Sequence, residues 1–227
     1  MKSTGRVFAE KPSISVEPTR LPDRSRFGSH CVYTDIVDKQ LPSGLWVRTL
    51  NGSTSKLKNS TSDWRIGDLQ GTVVIWFHAT VVDVYQTLFA SSDETDGTYK
   101  FQFMLYDDNY LTMDIRSGIP GTIRSVRGGT LITADAWNMV ALISNGSAWR
   151  INLNGVEETI TVRTTSNDGV WFGDINNRVN FVVGAFEQAA LAQVFTGDFA
   201  LPRVWNYALS AGQIKKLFEA ERHWFGV

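Results

Sequence analysis

Residues 73–82, VVIWFHATVV, are apolar at both odd and even positions. A strand with that pattern is covered on both faces, so a neighbouring layer must lie on each side of it. Residues 101–105 and 111–115 behave differently. Phe101, Phe103 and Leu105 alternate with Gln102, Met104 and Tyr106, and Leu111, Met113 and Ile115 alternate with Thr112, Asp114 and Arg116. This period of two, interrupted by Asp107, Asp108 and Asn109, predicts a hairpin with one face turned inward.

Asn-Gly pairs punctuate other strand-like runs at Asn51-Gly52, Asn145-Gly146 and Asn154-Gly155. Both residues of such a pair accept positive φ, which tight hairpins require. The first joins residues 45–50 to 55–58, and the other two join 137–144, 149–153 and 156–164 into an antiparallel meander. Residues 85–90 and 181–184 add further strands. The stretch after Gly118 reads as irregular to about residue 135, and 165–178 reads as a long polar connection.

Near the end the period changes from two to 3.6. Residues 195–205 predict a strand, and Ser210 then fits a helix N-cap, with Gln213 placed for a reciprocal capping box and Leu209 for a hydrophobic staple onto Ile214. Ile214, Leu217 and Phe218 form an apolar stripe, continued at helical spacing by Glu221, that the sheet ending at Trp205 should cover. About eleven to thirteen short strands with one late helix predict an all-β fold, a two-sheet antiparallel sandwich.

Residues 1–30 sustain neither period. Pro12, Pro18 and Pro22 stand among basic and acidic residues, which predicts an extended N-terminal arm over 1–30 and one β-sandwich domain over 31–227. Such an arm, with Arg6, Phe8, Pro12, Pro18 and Pro22 as its contact residues, is suited to docking on a neighbouring subunit, because proline lowers the entropy lost on ordering.

Gly197 and Asp198, followed by Arg203, Val204, Trp205, Asn206, Tyr207, Ala208, Leu209 and Ser210, resemble the closing strand and helix of laminin G-like and pentraxin-like domains, the concanavalin A-like jelly rolls. Residues 137–143 with 149–155, and 73–80, resemble that superfamily's strand closing in Asn-Gly and its central aromatic strand. The resemblance spans about residues 45–220 and implies a jelly-roll sandwich. It also implies settings in which such domains occur, including glycan-binding modules and accessory proteins of bacteriophage capsids and tails.

The chain has 227 residues, a formal net charge of -1 and a single cysteine, Cys31. An undivided β domain of that length is ordinary. The charge offers no global field for nucleic acid, and one cysteine excludes an internal disulfide. The start carries no apolar signal core, and no run reaches the ~18 residues of a membrane span. The expectation is therefore cytoplasmic synthesis without membrane insertion, and the resemblance admits incorporation into a virion. Sequons at Asn51, Asn59 and Asn145 read as turn chemistry.

Paired acids on alternate positions of one strand would mark a glucanase-like site. Glu94-Thr95-Asp96 is the nearest approach, but it sits among Ser91, Ser92 and Gly97 and lacks a third alternating acid. Glu157 and Glu158 are adjacent and face opposite sides of a strand. His30, His78 and His223 are isolated in sequence, and no nucleophile elbow or phosphate loop occurs. The chain is thus expected not to be an enzyme. No cofactor is required. The resemblance admits calcium, for which Asp93, Glu94 and Asp96 form one oxygen-rich loop and Asp107, Asp108 and Asn109 another. For carbohydrate, Trp171 and Phe172 beside Asp174 and Asn176 are the first choice of platform, and Tyr85 and Tyr110 the second.

Two functions follow as expectations. The main one is a non-catalytic assembly or decoration module, a virion accessory protein held to other subunits through residues 1–28. The alternative is a lectin-like module that binds cell-surface glycan for adhesion, with or without calcium.

Overall fold

The computed structural model describes residues 6–9, 20–21, 28–95, 97–118 and 123–227. In chain order its first strands are β1 (Arg6–Ala9), β2 (Arg20–Leu21), β3 (Cys31–Thr34), β4 (Val37–Gln40), β5 (Trp46–Asn51), β6 (Lys56–Asn59) and β7 (Gly71–Ala79). Next come β8 (Gln86–Ser92), β9 (Tyr99–Leu105), β10 (Tyr110–Ser117), β11 (Arg124–Leu131), β12 (Trp137–Ser144) and β13 (Trp149–Leu153). The last are β14 (Val156–Glu157), β15 (Thr161–Thr164), β16 (Phe181–Val183), β17 (Phe186–Glu187), β18 (Leu191–Ala192) and β19 (Thr196–Trp205), before helix α1 (Ala211–Glu221).

The strands form two antiparallel sheets, a jelly-roll sandwich. The first runs β14-β13-β12-β7-β19-β5-β4, with β1 added to β19, and the second runs β15-β11-β10-β9-β8-β16-β6-β3-β2. Their inner faces meet in one core, where Val73, Ile75, Phe77 and Ala79 of β7 join Phe101, Phe103, Leu111 and Met113 of the second sheet. The alternate residues of β7, Val74 and Trp76, face the other way and pack with Ile214, Phe218 and Phe225. This is why β7 is apolar at both parities: a sheet covers one side and the C-terminal helix the other.

The helix begins as its sequence dictates. Ser210 Oγ accepts the Gln213 N–H, and Gln213 Oε1 accepts the Ser210 N–H at 2.9 Å. Leu209 and Ile214 are both buried in the same outer cluster. Trp76 stacks between Phe218, at 5.7 Å, and Phe225, at 4.0 Å, and donates its Nε1–H to Glu221 Oε2 at 2.8 Å. Arg203 of β19 closes on the same carboxylate through both terminal nitrogens, with Nη2 to Oε2 at 2.7 Å. Leu217, expected in the stripe, is only half-buried, so Ile214 and Phe218 carry the contact.

Gly197 shows why that glycine precedes Asp198. A Cβ there would lie 2.0 Å from the His78 carbonyl oxygen, so only glycine lets β19 approach β7 this closely. Asp198 then accepts Thr49 Oγ1 at 2.6 Å and Lys39 Nζ at 2.8 Å, tying β19 to β5 and β4. The Asn-led turns close through their own side chains. Asn51 Oδ1 accepts the N–H groups of Ser53, Thr54 and Ser55, and Asn145 Oδ1 those of Ser147 and Ala148.

Three expectations change. Residues 124–131, read as irregular, form β11 and pair with both β10 and β15. Their Gly128-Gly129 pair hides the alternation that would have betrayed a strand. Residues 156–164 are not one strand: β14 stays in the first sheet while β15 joins the second. Glu158, at the break, accepts the N–H groups of Gly129 and Thr130 on its carboxylate. The arm, finally, lays both of its described segments on this chain, β1 against β19 and β2 against β3. Arg6 and Phe8 lie in β1, whereas Pro12, Pro18 and Pro22 lie outside the described residues.

Candidate functional site

The outer face of the second sheet is polar, and its two halves are treated differently. Over β8 and β16 the hairpin formed by β17 and β18 folds back on the sheet. Val182, Ala185 and Val194 cluster beneath it with Leu191, and Ser92 Oγ donates to the Glu187 carbonyl. The Glu187 side chain pairs with Lys56 and with Lys58, the latter at 2.6 Å. Burial alone would raise the Glu187 pKa, but the hydrogen bonds from the two lysines outweigh it and hold the carboxyl below its ordinary range. Gln102 Nε2 donates to Thr87 Oγ1 at 2.9 Å and to Gln193 Oε1, fixing the hairpin's return.

Over β10, β11 and β15 the face is uncovered among the described residues. The β9–β10 turn brings Tyr106, Asp108 and Tyr110 to its rim. The Arg163 guanidinium lies 3.9 Å from the Tyr106 ring centre, and that of Arg127 lies 3.9 Å from the Tyr110 ring centre. Both arginines share one oxygen, Asp108 Oδ2, at 2.6 Å from Arg163 and 3.8 Å from Arg127. Tyr85 meets Tyr106 edge-on at 4.6 Å and is 38% exposed, enough to offer a ring face to a ligand. Hydrogen bonds with Tyr106 and Asp107 raise the Tyr85 pKa above its ordinary value.

Further along β10 lie Asp114 and Arg116, both partly exposed. Asp114 Oδ1 and Arg116 Nε are shielded from solvent and have no hydrogen-bond partner among the described residues. Polar groups in that state are uncommon in folded proteins and point to a missing partner. Asp114 Oδ2 is 3.6 Å from Lys100 Nζ.

The sites expected from sequence fall elsewhere. Trp171 and Phe172 are fully buried, so neither is an exposed platform. Phe101 meets Trp171 edge-on at 5.0 Å and lies tilted against Phe172 at 4.4 Å, and together the rings close one end of the inter-sheet core. The polar sequence around them misleads because Arg178, itself fully buried, holds the loop from inside. It donates to the carbonyls of Trp64, Phe172 and Ile175 and to Ser91 Oγ. Burial lowers its pKa to about 10, against the opposing charge of Asp63. Asp174 accepts the Trp171 N–H at 2.9 Å, and Asn176 is exposed.

The loop at 93–96 does not fit calcium. Asp93 Oδ1 accepts the N–H groups of Thr95 and Gly97 and its Oδ2 that of Tyr99, while Glu94 Oε1 is held by Lys58 at 2.7 Å and Asn180 at 2.6 Å. A cation would have to displace these donors. Asp96 lies outside the described residues. In the second acidic loop Asp108 is taken by the two arginines, and Asn109 Oδ1 accepts the Asp83 N–H at 2.7 Å. Among the described residues no three His, Cys, Asp or Glu side chains converge as a metal site would need, and no helix is long and apolar enough to cross a membrane.

A two-layer jelly roll with one outer face sealed by a helix and the other partly open defines the class of molecule. The chain belongs to the concanavalin A-like lectin/glucanases superfamily, whose family model matches residues 51–215. None of the curated proteins matches the sequence. Among solved structures it is similar to domain 4 of the extracellular GH43 arabinanase AbnA of Geobacillus stearothermophilus, solved in complex with arabinotriose. That likeness has 16% identity, covers 95% of this chain and 99% of that one, and has a TM-score of 0.67. The sialidase CBM40 of Ruminococcus gnavus, bound to α2,3 sialyllactose, is similar at 15% identity over 82% of this chain and 98% of that one, TM-score 0.61. The binding domain of Paraclostridial Mosquitocidal Protein 1 is similar at 12% identity over 95% of this chain and 52% of that one, TM-score 0.67. These structures are mostly binding domains, and at such identities the likeness concerns the fold.

Proposed function

We propose that this chain is a non-catalytic carbohydrate-binding module whose site is the uncovered half of the second sheet's outer face. The observation that carries the reading is the pairing of Tyr106 and Tyr110 with Arg163 and Arg127 beside the unpartnered polar groups of Asp114 and Arg116. A sugar presents C–H faces to aromatic rings and hydroxyls that both donate and accept. Asp114 supplies an acceptor, Arg116 and Arg127 supply donors, and Tyr85 adds a ring edge at the rim. The glycan complexes of the arabinanase and sialidase domains of the same fold support this reading.

A catalytic role has less to support it. Hydrolysis needs two carboxyl groups free to act on one bond. Here Asp108 is bound by Arg163, Asp114 faces Lys100, and Glu94 is held by Lys58 and Asn180. Attachment to a larger particle through residues 1–28 would need the arm to reach another chain. Its described segments pair with β19 and β3 of this one, so the arm does not favour that reading over glycan recognition.

The test is a glycan array followed by titration calorimetry on the full chain and on Tyr110→Ala. The expected result is a glycan bound by the wild type, weakened at least about fivefold in the variant, with an unchanged melting temperature. Silence across the array from a folded protein, or full affinity in Tyr110→Ala, would sink the proposal.

A further inference from the structure

The register of β9 and β10 sets Lys100 directly opposite Arg116. Like charges directly opposed across strands destabilise a sheet, so such a pair calls for a compensating anion. Asp114, 3.6 Å from Lys100, is the one carboxylate beside them among the described residues. Lys100 is 8% exposed, donates to Gln102 Oε1 at 3.1 Å, and lies 5.5 Å from the Phe186 ring centre. Arg116 makes no ion pair and no side-chain hydrogen bond to the described residues, although its Nε is shielded from solvent. Burial lowers the Lys100 pKa, Asp114 opposes that shift and Arg116 reinforces it.

The imbalance extends over the whole open face. Lys100, Arg116, Arg127 and Arg163 stand against Asp108 and Asp114, while the complete chain carries a formal charge of -1. Asp107 is engaged with Tyr85 at the rim, and Arg124 at the far end of β11 is matched by Asp168. Cationic surplus is therefore concentrated where the sheet is open, on a protein that has none to spare overall. A guanidinium presents parallel N–H donors that match a planar carboxylate.

We infer that the open face takes an acidic glycan, with the carboxylate of one sugar seated between Lys100 and Arg116 and neighbouring sugars running toward Tyr110 and Tyr106. The inference rests on the glycan-binding reading and deepens it by naming the ligand class. The bound carboxylate becomes the second counter-charge that Lys100 and Arg116 lack, and Phe186 on the covering hairpin forms the wall behind it.

Calorimetry on the full chain with matched probes tests this: trigalacturonate against its methyl ester, 3′-sialyllactose against lactose, and a sulfated heparin hexasaccharide as a separate arm. At least one free acid is expected to bind about tenfold or more tighter than its neutral partner. The ratio of acid to neutral affinity should fall to about one in Arg116→Gln and in Lys100→Gln, with a melting temperature unchanged or raised in Arg116→Gln, which relieves the opposed charges and leaves the Lys100–Asp114 pair in place. Acid and neutral partners binding equally would overturn this inference and leave the carbohydrate-binding reading standing. No binding to any probe or to a glycan array would overturn both. Preference for the sulfated probe alone, or equal loss of acid and neutral binding in the two variants, would overturn the carboxylate assignment.

Discussion

The two outer faces of this sandwich are built for opposite ends. On the first sheet, Trp76, Val74 and Ala200 are sealed under Ile214 and Phe218, and Arg203 and Trp76 both bond to Glu221. On the second sheet only half of the face is roofed, and the other half keeps cations and aromatic rings at the surface with donors unspent. The contrast teaches where to look in a superfamily whose fold serves many purposes: a face closed by a helix holds the molecule together, and a face that keeps rings and charged groups at its surface is open to a ligand.

If the division holds, damage to the sealed face should cost stability and leave glycan affinity unchanged. Glu221→Ala strands the buried Arg203 charge, for which about 3–5 kcal/mol is expected, read as a lower denaturant midpoint with unaltered binding. A midpoint within error of wild type would mean that the ion pair is idle. Leu217→Ala should cost far less, about 1 kcal/mol, because only half of that side chain leaves water; a loss as large as that of Phe218→Ala would show the helix to be seated differently.

The roofed half of the second sheet has a pH signature. Glu187 has a depressed folded-state pKa, so its contribution to stability is complete above the carboxyl's unfolded value near 4.5 and is lost as pH falls through the folded value. Amide protection factors in residues 186–192, corrected for the intrinsic exchange rate at each pH, should therefore fall on acidification below about pH 4.5, ahead of those in β7. Equal protection at pH 3 and pH 6 would remove the two-lysine clamp from the account. This is the smallest of the three effects, since the clamp lies near the surface.

Much of the fold was legible because the sequence states it locally. The capping box at Ser210, the both-sided apolarity of β7 and the alternation in β9 and β10 each lead to the structure observed. The site was less legible. Tyr85 and Tyr110 were in view as secondary candidates, yet the arginines that define the face come from β10, β11 and β15, brought together only by sheet order. Arg127 was hidden in a stretch without readable period. Trp171 and Phe172 misled for a related reason: a polar loop looks exposed in sequence when one buried arginine, Arg178, satisfies its carbonyls from within. The like-charge opposition of Lys100 and Arg116 is invisible until register is known, although the alternation that fixes the register is plain.

Asp198 has a consequence in time. It holds Lys39 and Thr49, partners 159 and 149 residues away in sequence, from a strand that lies between β7 and β5. Until β19 has left the ribosome, the first sheet has a gap at its centre, and β7 and β5 each present an unpaired edge. Non-local closure of this kind places folding in the slow range, milliseconds to seconds for comparable β topologies, and leaves those edges open to other chains in the meantime. The same strand that locks the finished sandwich thus sets the interval in which the nascent chain is most exposed to misassembly.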